Sequence, residues 1–343
     1  MHLRTSRTPS AFLRRFRLVL ALSVSLLWAA SGLSTQTASP SAPQKPKPSR
    51  NASGDYRLSV DVDLVVLHTT VVNRQGRVVS ELAQNHFRVY EDGVPQEIAV
   101  FRQEDVPLTV GLVIDNSGSM YQDKQELRAA AVTFVETSNP LDEVFVVNFN
   151  DDYYLDLGPE RDFTSDINVL KEALEKTDTR GGTALWDALR ASIDHSKRGT
   201  RQKKVLLVIS DGVDRYSRTQ FDALHRYAQE SEIALYIVML RGGEEGRDWK
   251  RARRQLRRLA KDTGGEVYFP HSIEQVQSIC KKIAHDIRNQ YILAYYPTNR
   301  ARDGTFRTVR VEMNVPKKFG RLIPRTRTGY YAPTPEGSGS NGP

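Results

Sequence analysis

Val110-Gly-Leu-Val-Ile-Asp115-Asn-Ser117-Gly-Ser119-Met120 is the stretch of the chain that decides its fold. Its apolar run, bounded by Gly and polar positions, predicts a strand buried on both faces, as at the centre of a parallel sheet. The polar cluster follows the carboxyl end of that strand, and open α/β sheets bind ligands at this edge, where the strand order reverses. Asp115, Ser117 and Ser119 stand two residues apart on a tight turn, and Gly118 lets the backbone fold so that their oxygens converge. Converging carboxylate and hydroxyl oxygens favour a hard divalent cation.

Two later stretches repeat this chemistry. Arg180-Gly-Gly182-Thr183-Ala-Leu185-Trp-Asp187 places a hydroxyl after a flexible glycine pair at the start of a predicted helix. Val205-Leu-Leu-Val-Ile-Ser210-Asp211-Gly212 predicts a second buried strand, which ends in a carboxylate. A D-x-S-x-S stretch alone is weak support, because turns are rich in Asp, Ser and Gly for conformational reasons. The agreement of three separated stretches is what favours a metal site.

These three stretches, in this order, resemble the von Willebrand factor type A (VWFA) family, whose metal-ion-dependent adhesion site (MIDAS) is built from three such loops. The resemblance implies that Asp115, Ser117 and Ser119 form the first loop of the metal site, Thr183 the second and Asp211 the third. It also implies a doubly wound, mostly parallel Rossmann-like sheet. In the family the third-loop carboxylate acts on the metal directly or through a water, and both arrangements remain open for this chain.

The predicted α/β domain covers residues 106–290, in which strands and helices alternate as βαβ units require. After the first strand, the predicted strands are Val144–Asn148, Tyr153–Leu157 at an edge, Val205–Ile209, Ala234–Leu240 and Glu266–Phe269. The predicted helices are Asp123–Thr137, Ser165–Lys176, Ala184–His195, Thr219–Glu230, Trp249–Thr263 and a last helix that carries Cys280. Asp115 and Asp211 are thereby expected at the ends of neighbouring strands.

The flanking segments, residues 55–105 and 291–333, are predicted to be rich in strands. Alternating apolar residues predict the first strand; they are Leu58, Val60, Val62, Leu64 and Val66. Asp92-Gly93 predicts a hairpin, with Ile98–Phe101 as the partner of the strand that starts at Phe87. The second segment predicts three more strands, at Tyr291–Tyr296, Phe306–Met313 and Thr326–Tyr331. Because four strands alone make a poor core, we predict that both segments share one smaller β-sandwich, with the α/β domain inserted between them as in integrin β chains.

Two features predict that the protein is exported by a bacterium. Residues 1–32 are typical of a signal peptide, since five arginines precede the uncharged run Leu18–Leu33 and small residues at 30–32 fit a cleavage site. An uncleaved anchor is the alternative; it alone brings membrane contact, and it exports the body as well. The first β segment also resembles the acidobacterial VWFA-related exported proteins, in Val79-Ser-Glu-Leu82, Phe87, Glu91-Asp-Gly93 and Gln96-Glu-Ile-Ala-Val-Phe101. The expected location is the periplasm, the cell envelope or the medium.

Composition argues against several classes of protein. Five of the eight net positive charges come from the leader arginines, which leaves +3 and little support for nucleic-acid binding. The single Cys280 cannot form an internal disulfide and falls in a predicted buried helical stripe. No nucleophile elbow, phosphate loop or H-E-x-x-H pair is present, so no enzyme is predicted. Residues 33–54, rich in Ser, Pro and Lys, are predicted to be an extended linker and residues 334–343 a disordered tail.

Two functions remain open from the sequence. In the first, a MIDAS cation keeps one coordination position open for an Asp or Glu of a partner protein, which is the family's adhesion mechanism. Mg²⁺ is favoured, with Mn²⁺ and Ca²⁺ as alternatives. In the second, the ion only holds the loops together and the sandwich makes the contacts of an envelope component. The basic helix Trp249–Lys261 is interpreted as a solvated face, with docking of anionic lipid or polymer as the alternative.

Overall fold

The computed structural model describes residues 64–176, 178–240 and 246–334, together with the backbone of residues 49–50 and 56–57. The predicted signal peptide, most of the linker and the tail after Thr334 lie outside the described residues. In the unit formed by residues 1–60, β1 (Ser49–Arg50) pairs antiparallel with β2 (Tyr56–Arg57). Among the described residues, no helix combines the length and the apolar character that a membrane span requires.

The second unit, residues 61–343, contains all other elements. Its strands are β3 (Val65–Val72), β4 (Phe87–Glu91), β5 (Val94–Gln96), β6 (Ile98–Gln103), β7 (Leu108–Asp115), β8 (Glu143–Phe149), β9 (Tyr153–Leu155), β10 (Lys203–Ser210), β11 (Ala234–Met239), β12 (Glu266–Tyr268), β13 (Tyr291–Tyr295), β14 (Phe306–Met313), β15 (Ile323–Arg325) and β16 (Gly329–Tyr331). Its α-helices are α1 (Lys124–Glu136), α2 (Ile167–Glu175), α3 (Leu185–Ser196), α4 (Phe221–Glu230), α5 (Arg247–Asp262) and α6 (Glu274–Arg288).

A six-stranded sheet forms the centre of the α/β domain, in the order β12-β11-β10-β7-β8-β9. All of its pairs are parallel except β8 with β9, which closes one edge. β7 is buried at every position, because helices cover both faces of the sheet: α1, α2 and α6 pack on one face and α3, α4 and α5 on the other. The predicted doubly wound, mostly parallel α/β fold is confirmed.

Helix α6 shows how the apolar spacing of the sequence becomes packing. Val276, Cys280, Ile283 and Ile287 recur every three or four residues, and all four are buried against the sheet. Burial raises the pKa of the Cys280 thiol to about 12. The residue is therefore a protonated core side chain at neutral pH, as the sequence predicted, and not a nucleophile.

The flanking segments form two four-stranded antiparallel sheets, in the orders β15-β3-β13-β6 and β16-β14-β4-β5. Each sheet mixes strands from both ends of the chain. One apolar core lies between the two sheets; its large members include Leu67, Phe87, Tyr291, Leu293 and Tyr295. The predicted smaller β-sandwich built from both flanking segments is confirmed.

The predicted hairpin at Asp92-Gly93 exists, but its predicted partner strand is wrong. Asp92 and Gly93 have φ values of 47° and 81°, as both central residues of a two-residue I′ turn require. Glu91 then pairs with Val94, so β4 pairs with β5 and not with Ile98–Phe101. Only Glu97 separates β5 from β6, and β6 pairs with β13 in the other sheet.

Two further strand predictions in the sandwich need correction. Of the predicted strand Thr326–Tyr331, only Gly329–Tyr331 is a strand, β16, and β15 ends before it at Arg325 and lies in the opposite sheet. Between them Thr328 binds the α/β domain, because its hydroxyl donates to Asp262 Oδ1 at 3.0 Å. The predicted apolar alternation is out of phase as well: Val65 and Leu67 enter the core, whereas Leu64 is 37% exposed. Residues 58–63 of that alternation lie outside the described residues.

Candidate metal centre

Four of the five predicted metal-site side chains lie within one hydrogen-bonded group at the carboxyl edge of the sheet. Asp115 ends β7 and Asp211 follows β10, and these two strands are neighbours. The Ser119 hydroxyl donates to Asp211 Oδ2 at 2.7 Å, and the hydroxyls of Ser117 and Ser119 are 3.1 Å apart. The backbone N–H of Ser117 donates to Asp115 Oδ1 at 2.8 Å. We call Asp115, Ser117, Ser119 and Asp211 the metal-site cluster.

The fifth residue, Thr183, belongs to a second loop that backbone hydrogen bonds hold between the other two. The N–H of Gly118 donates to the carbonyl of Gly181 at 3.1 Å, which ties the first loop to the second. The carbonyl of Thr183 accepts from the N–H groups of Arg215 and Tyr216 at 3.0 and 3.2 Å, which ties the second loop to the third. Thr183 is buried at the same edge, but within the described part of the chain its hydroxyl makes no hydrogen bond to the cluster.

The glycine pair before Thr183 is required by close packing. Gly181 has a φ of +69°, a conformation that costs other residues strain, and a Cβ there would overlap the carboxylate of Asp151. That carboxylate accepts a hydrogen bond from the N–H of Gly182. A Cβ on Gly182 would overlap the ring of Tyr216. The second loop therefore fits between the Asp151 loop and the third metal loop only because these side chains are absent.

The electrostatics of the cluster favour a bound cation. Burial and the nearby charge of Asp211 raise the pKa of Asp115 to about 7, against the opposing effect of hydrogen bonds from Ser117 and Ser210. A divalent cation between the two carboxylates would favour the ionised form of both. The donor set consists of two carboxylates and three hydroxyls, all hard oxygens of the kind that Mg²⁺ accepts. Across the described residues no group of three or more His, Cys, Asp or Glu side chains could hold a metal, so such a site depends on its hydroxyls.

Ser210 is a buried contact of the cluster that the sequence reasoning missed. Its hydroxyl donates to Asp115 Oδ2 at 2.5 Å and accepts from the N–H of Gly212 at 2.9 Å. It thus fixes the first-loop carboxylate and the backbone of the third loop at once. The one signal for it was a hydroxyl at the last position of an otherwise apolar strand.

Two exposed tyrosines border the site. Tyr121 follows the first loop and is 72% exposed, and Tyr216 in the third loop is 59% exposed. Three exposed arginines, Arg180, Arg215 and Arg218, lie in the second and third loops. The edge of the sheet therefore presents aromatic and cationic side chains around the metal-site cluster.

Residues 110–213 match the family model of the von Willebrand factor type A domain. No curated protein matches the sequence. Solved structures similar to this chain include a von Willebrand factor type A protein from Catenulispora acidiphila, with 14% identity over 75% of this chain and 76% of that one and a TM-score of 0.47. Others are an aerotolerance-related membrane protein from Bacteroides fragilis (17% identity, 52% and 98% covered, TM-score 0.41) and the vWF domain of a type V pili tip protein from Porphyromonas gingivalis (14%, 53% and 95%, 0.43). The match to the family model, which is confined to residues 110–213, spans all five predicted metal-site residues.

Proposed function

We propose that this protein is an exported, non-enzymatic adhesion-type module that uses a MIDAS cation to engage an Asp or Glu of a partner protein. The observation that supports this most directly is the metal-site cluster, in which three separate loops bring two carboxylates and two hydroxyls to one point. Bound Mg²⁺ would supply Lewis acidity there, and with few charged ligands it would keep much of its positive charge. Asp115, Ser117, Ser119, Thr183 and Asp211 would hold it, and about six ligands complete its shell, so one position remains for a partner carboxylate.

The surroundings of the cluster support recognition of a protein. Tyr121 and Tyr216 expose large aromatic surfaces beside the open edge, and Tyr and Arg are the residues that protein interfaces favour. Both tyrosines belong to loops that also carry metal-site residues, so a carboxylate at the metal would bring its own chain into contact with them. We place the protein in the periplasm, the cell envelope or the medium on the basis of its N-terminal sequence.

The alternative function, in which the ion only holds the loops together, is less well supported by the loops themselves. Backbone hydrogen bonds from Gly118 to Gly181 and from Arg215 to Thr183 already connect the three loops directly. Ser210 connects the Asp115 carboxylate to the third loop as well. An ion is therefore not needed as the only link between these loops, which favours a role for it in binding.

The first test measures Mg²⁺ binding through its effect on the melting temperature. Mg²⁺ should raise the melting temperature of the wild type, and linkage gives a stabilisation of about 2.7 kcal/mol when free Mg²⁺ is about 100 times its dissociation constant. Asp115→Ala removes a charged ligand, so the Mg²⁺ effect should disappear in that variant. An equal Mg²⁺ shift in wild type and variant would rule out the metal site.

The second test measures whether binding of a partner protein depends on the metal and on Thr183. Protein retained from envelope extract by the wild type in Mg²⁺ should be released by chelator. Thr183→Ala should keep its fold and much of its metal affinity, because both carboxylates remain, yet should lose the partner. Thr200→Ala, which removes the same hydroxyl near the amino end of β10, is the matched control and should bind normally. If Thr183→Ala binds the partner with unchanged affinity at confirmed metal occupancy, the adhesion proposal is wrong and the alternative holds, in which the ion only holds the loops together.

A further inference from the structure

Helix α5 separates its residues into an apolar face and a cationic face. Its buried face consists of Trp249, Ala252, Leu256, Leu259 and Ala260. Its exposed cations are Arg247, Lys250, Arg251, Arg254, Arg257, Arg258 and Lys261. Residues three and four positions apart share one side of a helix, so five of these form a line about 21 Å long at 1.5 Å per residue. We call Arg247, Arg251, Arg254, Arg258 and Lys261 the cationic stripe.

The cationic stripe forms one wall of a groove that adjoins the third metal loop. The groove has a volume of about 590 Å³, and Arg251, Arg254 and Arg258 line it from α5. The opposite wall consists of Val213, Asp214, Arg215 and Ser217, in the loop that begins at Asp211, and of the start of α4. A chain segment that places a carboxylate at the metal can therefore continue into this groove.

Three acids line the groove, Asp214, Asp222 and Asp248, and none of them forms an ion pair with Arg251 or Arg254. The Asp214 carboxylate is engaged internally, because it accepts from the Ser217 hydroxyl and, at 3.3 Å, from the N–H of Trp186. Asp222 lies 3.7 Å from Arg258. Among the described residues, the ion pairs made by arginines of α5 involve Arg258 and not Arg251 or Arg254. A solvated helix face commonly alternates charges of both signs, whereas this face repeats one sign at the spacing where like charges repel.

We propose that the partner segment is an acidic peptide that runs from the metal into this groove. Its first Asp or Glu fills the open position at the cation, and this contact rests on the proposed function. Its further carboxylates pair with Arg215, Arg251 and Arg254, whose guanidinium groups suit bidentate contact with carboxylates. An acidic peptide fits better than an anionic membrane, because the groove is concave and is lined by residues of the loop that begins at Asp211, whereas a bilayer surface is flat.

The probe is a fluorescein-labelled deca-glutamate peptide, titrated against the full chain in Mg²⁺ and in chelator by fluorescence anisotropy. Arg251→Glu/Arg254→Glu should weaken binding about tenfold or more, because opposed charges across an interface change to like charges. The matched control is Lys171→Glu/Lys281→Glu, which has the same change of charge on exposed positions of α2 and α6, on the other face of the sheet. The control should bind within about twofold of the wild type, and Arg251→Ala/Arg254→Ala should fall between the two double variants.

The outcomes separate this inference from the proposed function. If binding needs Mg²⁺ and Asp115 but is unchanged in Arg251→Glu/Arg254→Glu, the groove inference is wrong and the metal function stands. If binding falls in Arg251→Glu/Arg254→Glu but persists in chelator and in Asp115→Ala, the groove is right and the metal function is wrong. Tighter binding of phosphatidylglycerol vesicles than of deca-glutamate, lost with the same two arginines, would identify a membrane face and overturn the acidic-peptide proposal.

Discussion

A single residue, Gly181, illustrates how the metal edge depends on one backbone conformation. Replacing it with Ala at a φ of +69° costs about 1 to 2 kcal/mol of strain, and the new Cβ must also displace the Asp151 carboxylate. We expect Gly181→Ala to lower both the free energy of unfolding and the Mg²⁺ affinity, because the Asp151 contact positions the loop that carries Thr183. Denaturant unfolding and the Mg²⁺ shift of the melting temperature measure the two effects.

Gly76→Ala is the matched control for that variant. Gly76 has a φ of +72°, so Ala there suffers the same strain, but a Cβ at this position meets no atom within 4 Å. It lies between β3 and β4, in the sandwich. Both variants should lose similar backbone stability, and only Gly181→Ala should lose Mg²⁺ affinity. The same Mg²⁺ response in both would show that the second loop does not need its glycine for the metal site.

Local sequence patterns identified the five candidate site residues, but they did not identify Ser210. The five predicted residues lie in stretches whose glycines and small polar side chains predict tight loops. Ser210 acts on Asp115, which is 95 positions away in the chain and comes close only because β10 pairs with β7. Pairing of that kind is set by the whole sheet, so spacing along the chain does not reveal it.

At the scale of an element, β10 begins at a buried lysine and ends at the metal edge. Lys203 donates from Nζ to the carbonyl of Ile287 at 2.7 Å. Burial lowers the pKa of Lys203 to about 7, although Asp105 and Asp142 oppose the shift. Between pH 7 and about 10.5 the unfolded chain therefore binds more protons at this residue than the folded protein does. In that window the contribution of Lys203 to stability must rise with pH.

The Lys203→Met variant tests whether the contribution of Lys203 to stability rises with pH. It removes the titrating group and keeps most of the volume, so the free energy of unfolding of the wild type relative to the variant should increase from pH 7 to pH 9. The slope has an upper limit of about 1.4 kcal/mol per pH unit. Urea unfolding at pH 7, 8 and 9 measures this slope. If the difference in free energy of unfolding between wild type and variant stays constant over this range, Lys203 remains charged in the folded protein. Burial raises the pKa of Asp142 to about 6 only, so its titration ends largely below this window.

The elements of the α/β domain were easier to predict than those of the sandwich. Its strands and helices have long apolar patterns, and β7 and β10 are continuous apolar runs that only a doubly covered sheet accommodates. In the sandwich, β5 has three residues and contains Pro95, so its pattern is too short to identify it. The sequence therefore predicted the turn at Asp92-Gly93 correctly and chose the wrong strand after it, because the partner of β6 lies in β13, far along the chain.

At the scale of the whole molecule, the two ends of the chain share one core. Glu91, from the first segment, is buried and accepts hydrogen bonds at Oε2 from the hydroxyls of Tyr295 and Tyr330, both from the second segment, at 2.8 Å each. Gln103, the last residue of β6, pairs with Tyr291, the first residue of β13. The chain thus leaves the sandwich for the α/β domain after Gln103 and returns to it at Tyr291, the residue that pairs with Gln103. Sequence patterns predicted the shared sandwich but not this adjacency.

The adjacency of Gln103 and Tyr291 predicts that the sandwich can fold without the α/β domain. In residues 64–103 joined to 291–334 by Asn-Gly, the linker can form a two-residue I′ turn directly after the Gln103–Tyr291 pair. The apolar core between the sheets contains no residue of the α/β domain, so it remains complete. The contacts that are lost lie outside that core, such as the Thr328 hydroxyl on Asp262. We therefore expect cooperative unfolding at reduced stability, measured by denaturant titration and by dispersion of amide resonances.

Leu67→Ala in the same shortened chain tests whether this core carries the stability. Leu67 is fully buried between the sheets, and truncation of such a side chain costs about 2 to 5 kcal/mol. Leu64→Ala is the matched control, because Leu64 is 37% exposed on the outer face of the sheet and should cost far less. Equal effects of the two substitutions, or a shortened chain with no cooperative transition, would mean that the sandwich is held together by the α/β domain. The α/β domain would then act as a folding partner of the sandwich and not as an insertion into a domain that is complete by itself.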